Sequence, residues 1–190
     1  DGEEDYVIYS RNQFGSDKSW VSENKSDKFQ YPLIHSTPIG EPRKYWSSTK
    51  TPDVRNFIEM FKVSKVIFGE SGINDVIVDI GGKYGLTQGA IGLRVKSEKE
   101  GNLYKKALES QEFKTVLDAM SFGNFRIDWR MFKYFKPDFY KYFLKDEAAS
   151  KINKFVTKKL REKKVRTKKA SKGGRRPTRK HGRHNRTRRA

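Results

Sequence analysis

The chain has 190 residues and a mass of 22.2 kDa, which suits one ordinary domain with an appendage. It contains no cysteine, so disulfides and cysteine-ligated zinc are excluded, and the composition suits a reducing, intracellular compartment. No apolar run approaches the ~18 residues of a membrane-spanning helix, and we therefore expect no membrane partner. The chain starts at Asp1 rather than at methionine, so we expect a processed chain or a piece of a longer protein.

Positive charge is concentrated at the C-terminal end. The formal net charge is +19, and residues 151–190 carry 10 Lys and 9 Arg against one acid, Glu162. Residues 1–150 hold 23 basic and 22 acidic residues and are nearly neutral. Beyond about Val165 no apolar residue larger than alanine is available to offset chain entropy. We therefore expect a folded body at 1–164 and a disordered Arg/Lys-rich tail at 165–190.

Extended structure is predicted for the first half of the body. Residues 6–9 (YVIY) form a short strand, because branched and aromatic residues favour a pleated surface. A polar loop at 11–28 follows. Residues 31–46 contain three prolines, which exclude a long helix and indicate extended pieces joined by turns.

A small, mostly antiparallel sheet is predicted from the strands that come next. One strand lies at 66–68 and another at 90–96. Between them, residues 76–80 are predicted to form a hairpin that turns at Gly81 and Gly82.

Helices are predicted for the C-terminal half. Ser97 and Glu100 match a capping box, and Ser110 is expected to cap a second helix with one apolar face. The aromatic segment 125–144 is broken at Pro137, and a last amphipathic helix is predicted at 152–160. The aromatic side chains with helical spacing are expected to lie in the core: Phe132, Phe135, Phe139 and Phe143, together with Trp129. The predicted fold class is therefore α+β.

Signatures of catalysis are missing from the chain. It contains neither a G-x-x-x-x-G-K-[ST] phosphate loop nor adjacent prolines, so it holds no N-P-P-Y motif of amino-methyltransferases. We expect no cofactor and assign no reaction to this chain. His35 is next to Ser36, and neighbours on a strand point to opposite faces, so a nucleophile–base pair is not expected.

One pattern resembles a nuclease site. Glu70, Asp75 and Asp79, with Lys83, could imitate the acidic cluster that holds Mg²⁺ in endonucleases. The glycine turn between Asp79 and Lys83 disturbs the register that such a cluster needs. A Mg-dependent endonuclease is therefore kept as the second alternative function.

Three segments stand in a familiar order: HSTPIGEPRKYWSS, then KVIFGESGINDVIVDIGGKYGLTQGAIGL, then SFGNFRIDWRMFKYFKPDFY. Together they span roughly residues 31–143. They resemble the target-recognition region that follows the catalytic domain in adenine-specific DNA methyltransferases of the Eco57I type, with versions in large DNA viruses of protists and algae closest. The resemblance implies a module that binds DNA and selects the site. The chain departs from that family in lacking the methyltransferase core, so methyl transfer does not carry over.

The basic tail resembles the Arg-rich ends of proteins of the same viruses. The resemblance implies a viral factory or virion as the location, or the nucleus if the source is eukaryotic. DNA is the expected partner, with RNA left open for the tail. A methyltransferase core upstream, or capsid proteins, are the expected protein partners.

Candidate nucleic-acid contacts follow from loop position and side-chain chemistry. In the body they are Arg43, Lys44, Lys83, Tyr84, Thr87, Gln88, Arg126 and Arg130. In the tail they are Arg175, Arg176, Arg179, Lys180, Arg183, Arg186, Arg188 and Arg189.

These features predict a DNA-binding module whose body selects and whose tail supplies non-specific affinity. The first alternative is a virion or genome-packaging protein whose body docks to capsid proteins while its tail holds DNA.

Overall fold

The computed structural model describes residues 6–120 and 126–144. The predicted helix at 152–160, the predicted boundary at 164 and the predicted tail at 165–190 lie outside the described residues. The strands are β1 Val7–Ile8, β2 Val21–Ser22, β3 Tyr31–Ser36, β4 Arg43–Ser47, β5 Lys65–Gly69, β6 Gly72–Asp79, β7 Gly85–Leu86 and β8 Ala90–Arg94. The helices are α1 Glu98–Leu108, α2 Gln111–Met120, a 3-10 helix Trp129–Tyr134 and α3 Tyr140–Phe143.

The strands form two four-stranded sheets where the sequence predicted one. The first sheet has the order β1-β8-β5-β6, and all its neighbours are antiparallel. The second has the order β2-β4-β3-β7, and its pair β3–β7 is parallel. Strands come first and helices follow, so the predicted α+β class is confirmed.

The predicted hairpin is wrong in its position. β5 and β6 form the hairpin, with Gly69 opposite Gly72, so the chain reverses at Glu70 and Ser71. The chain does turn after β6, where Gly81 and Gly82 have positive φ angles. That turn leads into β7, which pairs with β3 in the other sheet. A glycine pair indicates a turn, but it does not indicate which strand the following residues will join.

Two apolar clusters make a three-layered body. Val66 and Phe68 face one way from β5 and pack in the cluster that includes the helices. Ile67 faces the other way and packs with Leu33 and Ile34 of the second sheet. Because β5 is covered on both faces, every one of its residues is buried. This position explains its uninterrupted apolar run.

The predicted helix starts are confirmed. The Ser97 hydroxyl accepts a hydrogen bond from Glu100 N at 3.2 Å, and Glu100 Oε2 accepts from Lys96 N at 2.6 Å. At the second helix the Ser110 hydroxyl accepts from Phe113 N at 3.2 Å. Side-chain acceptors therefore satisfy the amide groups that a helix leaves unpaired at its start.

The aromatic segment closes the helical layer. Phe132, Phe139 and Phe143 are buried around Phe113, as predicted, and Phe135 and Trp129 are partly buried against them. Pro137 falls between the 3-10 helix and α3, at the predicted break. Within the described ranges, no helix has the length and apolar character needed to cross a membrane.

A buried ion pair joins the ends of β5 and β6. Lys65 Nζ donates to Asp79 Oδ2 at 2.6 Å, and the two side chains are 0% and 2% exposed. Lys65 also donates to the backbone oxygens of Met60 and Val63. Desolvation lowers the pKa of Lys65, and the Asp79 carboxylate opposes this effect. Each side chain is the counter-ion of the other, so removing one of them would leave a buried charge without a counter-ion.

We expect Lys65→Met to lower the free energy of unfolding by about 3 kcal/mol, because Asp79 would be left buried without its counter-ion. Urea unfolding followed by tryptophan fluorescence measures this loss. The double variant Lys65→Met/Asp79→Asn should lose less than the sum of the two single variants. Strict additivity would contradict a direct interaction between the two groups.

The adjacent glycines provide a matched pair of substitutions. Gly81→Ala places a Cβ in open space, although φ is +78°, so the expected cost is about 1 kcal/mol of left-handed strain. A Cβ on Gly82, where φ is +66°, would lie 2.1 Å from Val63 N. We therefore expect Gly82→Ala to cost about 1–3 kcal/mol more than Gly81→Ala in the same urea experiment. Equal costs would contradict the close approach of these two loops.

Candidate nucleic-acid interface

Glu70 lies at the tip of the β5–β6 hairpin and is held on both sides of its backbone. Its N–H donates to Gly89 O at 2.8 Å, and its C=O accepts from Ile127 N at 2.7 Å. These two bonds bring together three segments that are far apart in the sequence. The residue is only 5% exposed. A carboxylate is therefore fixed just below the surface.

A tyrosine and an arginine lie beside this carboxylate. The Tyr9 hydroxyl donates to Glu70 Oε1 at 3.2 Å and lies 3.4 Å from the backbone oxygen of Gln88. Arg11 Nε donates to the Tyr9 hydroxyl at 3.2 Å. Burial is the largest of the effects that raise the pKa of Tyr9. The hydroxyl therefore stays protonated at neutral pH and remains a donor.

Two further arginines approach from the segment before the 3-10 helix and from its first turn. Arg126 Nη1 is 3.6 Å from Glu70 Oε2, and 74% of its side chain is exposed. Arg130 binds the Asp128 carboxylate through Nε and Nη2 at 2.7 to 3.0 Å. This hydrogen bonding lowers the pKa of Asp128. Arg126 is thus held loosely by its carboxylate and Arg130 tightly.

A cavity of about 540 Å³ lies between these groups. Its lining residues are Arg11, Glu70, Arg126, Ile127, Asp128, Trp129 and Arg130. The Trp129 indole stacks on Tyr9, with ring centroids 5.2 Å apart and planes at 21°. The cavity therefore combines exposed guanidinium groups, a buried carboxylate and a rigid aromatic wall.

Arg43 extends the same side of the molecule. Its Nη2 donates to the Tyr45 hydroxyl at 3.0 Å and lies 3.4 Å from Glu23 Oε1. Burial lowers the pKa of His35, and the charges of Arg43 and Arg126 lower it further. The Tyr45 ring contacts the His35 ring, with centroids 5.0 Å apart, and His35 Nδ1 lies 2.7 Å from Thr87 Oγ1 in the loop that binds the Glu70 backbone. We name this region the Glu70 surface, which consists of Arg11, Arg43, Glu70, Arg126 and Arg130. Gln88 lies beside it through its backbone oxygen, whereas its side-chain Nε2 donates to Ser16 Oγ at 3.1 Å and its Oε1 is buried without a partner among the described residues.

Three predicted contacts lie away from the Glu70 surface. Lys44 is exposed, but side-chain alternation puts it on the opposite face of β4 from Arg43. Lys83 and Tyr84 precede β7, whereas Gln88 follows that strand. Asp79 accepts hydrogen bonds from the backbone N–H groups of both Lys83 and Tyr84, so these residues belong to the turn near the buried ion pair.

Thr87 requires a correction, because it is fully buried. Its Oγ1 lies 2.7 Å from His35 Nδ1 and accepts a hydrogen bond from Gly89 N. Its side chain therefore supports the loop that carries Gln88, and the expected DNA contact at Thr87 is not possible in this arrangement.

The acidic cluster of the nuclease alternative is not formed. Asp79 is paired with Lys65, while Asp75 accepts a hydrogen bond from Gly40 N at 2.7 Å. Glu70 points into its own site with Tyr9 and Arg126. Among residues 6–120 and 126–144, no group of three or more His, Asp or Glu side chains is placed to hold a metal ion. The sequence could not show this, because strand register separates these carboxylates.

Sequence reasoning missed several residues of this surface. Arg11 was assigned to a polar loop, Tyr9 to a strand and Glu70 to a metal cluster. The signal for Arg11 is its place at the start of the predicted loop that follows the first strand. The eight predicted tail contacts lie outside the described residues: Arg175, Arg176, Arg179, Lys180, Arg183, Arg186, Arg188 and Arg189.

Comparisons with protein-family models, with curated proteins and with solved structures found no match to the chain. The resemblance to a target-recognition region therefore stays a prediction.

The titration of His35 tests whether Arg43 and Arg126 share one surface. We expect Arg126→Gln and Arg43→Gln each to raise the pKa of His35, because each removes a positive charge that disfavours the imidazolium. NMR titration of the His35 ring measures this change. Arg130→Gln is the matched control, because Arg130 is not among the charges that shift the pKa of His35. An unchanged pKa in both single variants would contradict the common surface.

Proposed function

We propose that the chain is a DNA-binding module in which the Glu70 surface contacts DNA and the basic C-terminal sequence supplies non-specific affinity. One observation supports this most. Arg126 and Arg130, two residues predicted from the sequence to contact DNA, line one cavity together with Arg11, which lies far from them in the chain.

The electrostatics of the Glu70 surface favour short-range contacts. Each of three arginines has a carboxylate partner: Arg43 has Glu23, Arg126 has Glu70 and Arg130 has Asp128. Their combined charge is therefore small, in keeping with the near-neutral composition of residues 1–150. The ion pair of Arg43 and Glu23 is exposed on both sides, and such pairs contribute little stability, so a phosphate group can replace this carboxylate at low cost. Such a surface suits directional contacts more than long-range attraction.

Long-range attraction in this proposal comes from residues 151–190. Their 19 cations and single acid can neutralise phosphates and release condensed counterions, and this mechanism needs no particular fold. It carries no sequence information, so any selection of a site falls to the body. The resemblance adds the further proposal that the body acts as the recognition part beside a methyltransferase core.

The division of roles is testable in the full chain with a variant in which the eight predicted tail contacts are changed to Gln. Log affinity for a duplex of mixed sequence falls with log salt at a slope of about −0.9 per phosphate neutralised, so the slope should become shallower by about 7. Fluorescence anisotropy between 50 and 200 mM NaCl measures it. In the matched control, the seven arginines of this set are changed to Lys, which keeps the charge and should keep the slope.

The contribution of the body to DNA binding is tested with a separate variant in the same salt titration. Arg43→Gln/Arg126→Gln should change the slope by about 2 at most and reduce the preference for one duplex sequence over others. An unchanged slope in the tail variant would contradict the tail's role. If the parent chain binds every sequence equally and instead binds a capsid protein, the packaging alternative replaces the recognition role.

A further inference from the structure

The geometry points to a binding site for one unpaired nucleotide in the cavity beside Glu70. The phosphate binds to Arg11 and Arg126, and the Glu70 carboxylate accepts a hydrogen bond from an exocyclic amino group of the base. The ligand class is therefore a cytosine, adenine or guanine nucleotide, and not thymine or uracil. This inference rests on the proposed function, because it places part of the nucleic acid on the Glu70 surface.

The carboxylate of Glu70 has unused capacity for hydrogen bonds. A carboxylate has about four acceptor positions. In the described part of the chain, its polar partners are the Tyr9 hydroxyl at 3.2 Å and Arg126 at 3.6 Å. Carboxylates away from water require donors, and Glu70 lines an open cavity while it is only 5% exposed. An amino group that enters the cavity can donate to an acceptor position that Tyr9 and Arg126 do not occupy.

Two of the three arginines can take the phosphate. Arg11 uses Nε for Tyr9, which leaves its terminal nitrogens for a ligand. Arg126 is mostly exposed and approaches Glu70 through Nη1 at 3.6 Å, so its other guanidinium nitrogens can bind an anion while Glu70 keeps its counter-charge. Arg130, by contrast, is committed to Asp128 by three hydrogen bonds and serves as the wall of the cavity. Forked guanidinium groups match the oxygens of a phosphate.

The size and position of the cavity suit a nucleotide that is not base-paired. Its volume of about 540 Å³ falls in the range of small-molecule sites. The carboxylate lies below the surface, where a base that remains stacked in a duplex does not reach. Trp129 is fixed by its stacking on Tyr9, so the wall is already formed before a ligand arrives.

The test compares deoxycytidine monophosphate with deoxyuridine monophosphate on the full chain by calorimetric titration. The two bases have nearly the same shape, but cytosine carries an amino donor where uracil carries a carbonyl acceptor. We expect the cytidine nucleotide to bind about tenfold more tightly, because a hydrogen bond to a charged acceptor is gained and an acceptor–acceptor contact is avoided. Equal affinities, or no binding of either, would overturn the site.

Three variants assign the roles. Glu70→Gln should reduce the preference to about twofold or less, because an amide can both donate and accept. Arg126→Gln should weaken both nucleotides by a similar factor, and Lys44→Gln, which removes an exposed cation away from the Glu70 surface, should change neither by more than about twofold. Urea unfolding of each variant checks that the fold is retained. A preference that survives in Glu70→Gln would contradict the assignment of the carboxylate.

Two additional measurements separate this inference from the proposed function. Oligothymidylates with one central deoxycytidine or deoxyuridine test the site within a strand, and the same preference there supports a nucleic-acid ligand. A preference confined to the monophosphates supports a free nucleotide. If the nucleotides bind equally while the salt-dependent binding of duplex DNA persists, the nucleotide site alone is wrong. If the preference between nucleotides and the salt-dependent binding of duplex DNA are both absent, the proposed function fails as well.

Discussion

The buried ion pair of Lys65 and Asp79 holds the two sheets in their relative positions. Lys65 binds the backbone of the loop that enters β5, at Met60 and Val63, and Asp79 binds the backbone of the turn that leaves β6, at Lys83 and Tyr84. Two of the four connections between the sheets, β4–β5 and β6–β7, are therefore fastened at one point. A buried ion pair stabilises a fold only where further hydrogen bonds satisfy both charged groups. Here these further hydrogen bonds go to backbone groups of the connecting segments. The path of β7 depends on this arrangement.

The Glu70 surface forms at the far end of the strands whose near ends the ion pair fixes. β7 runs parallel to β3 and delivers Thr87, Gln88 and Gly89 to that end. Gly89 O and Ile127 N then bind the backbone of Glu70 from two sides. Both hydrogen bonds join backbone groups at the end of the sheet. They therefore do not depend on which side chains these segments carry. These two bonds hold the backbone that carries the buried carboxylate next to the segment that carries Arg126.

Charge is handled differently in the two parts of the sequence. In the body, Arg43, Arg126 and Arg130 are each matched by a nearby carboxylate, which offsets repulsion between them. In residues 151–190 the cations have almost no acids to match them. Unmatched cations attract polyanions at distances set by the ionic strength. The proposed function assigns attraction to one part and selection to the other on this basis.

The sequence by itself determined the elements whose signals are local. Capping at Ser97 and Ser110, the break at Pro137, the apolar face of α2 and the α+β order all follow from neighbouring residues, and so does the concentration of charge after residue 150. Only the tertiary structure decided strand pairing, which moved the hairpin from Gly81-Gly82 to Glu70-Ser71 and divided one predicted sheet into two. It also decided that Arg11 and Arg126 line the same cavity, that Thr87 is buried and that Asp79 pairs with Lys65. These outcomes depend on contacts between residues distant in the chain, and local propensity carries no information about which distant strand or side chain will be the partner.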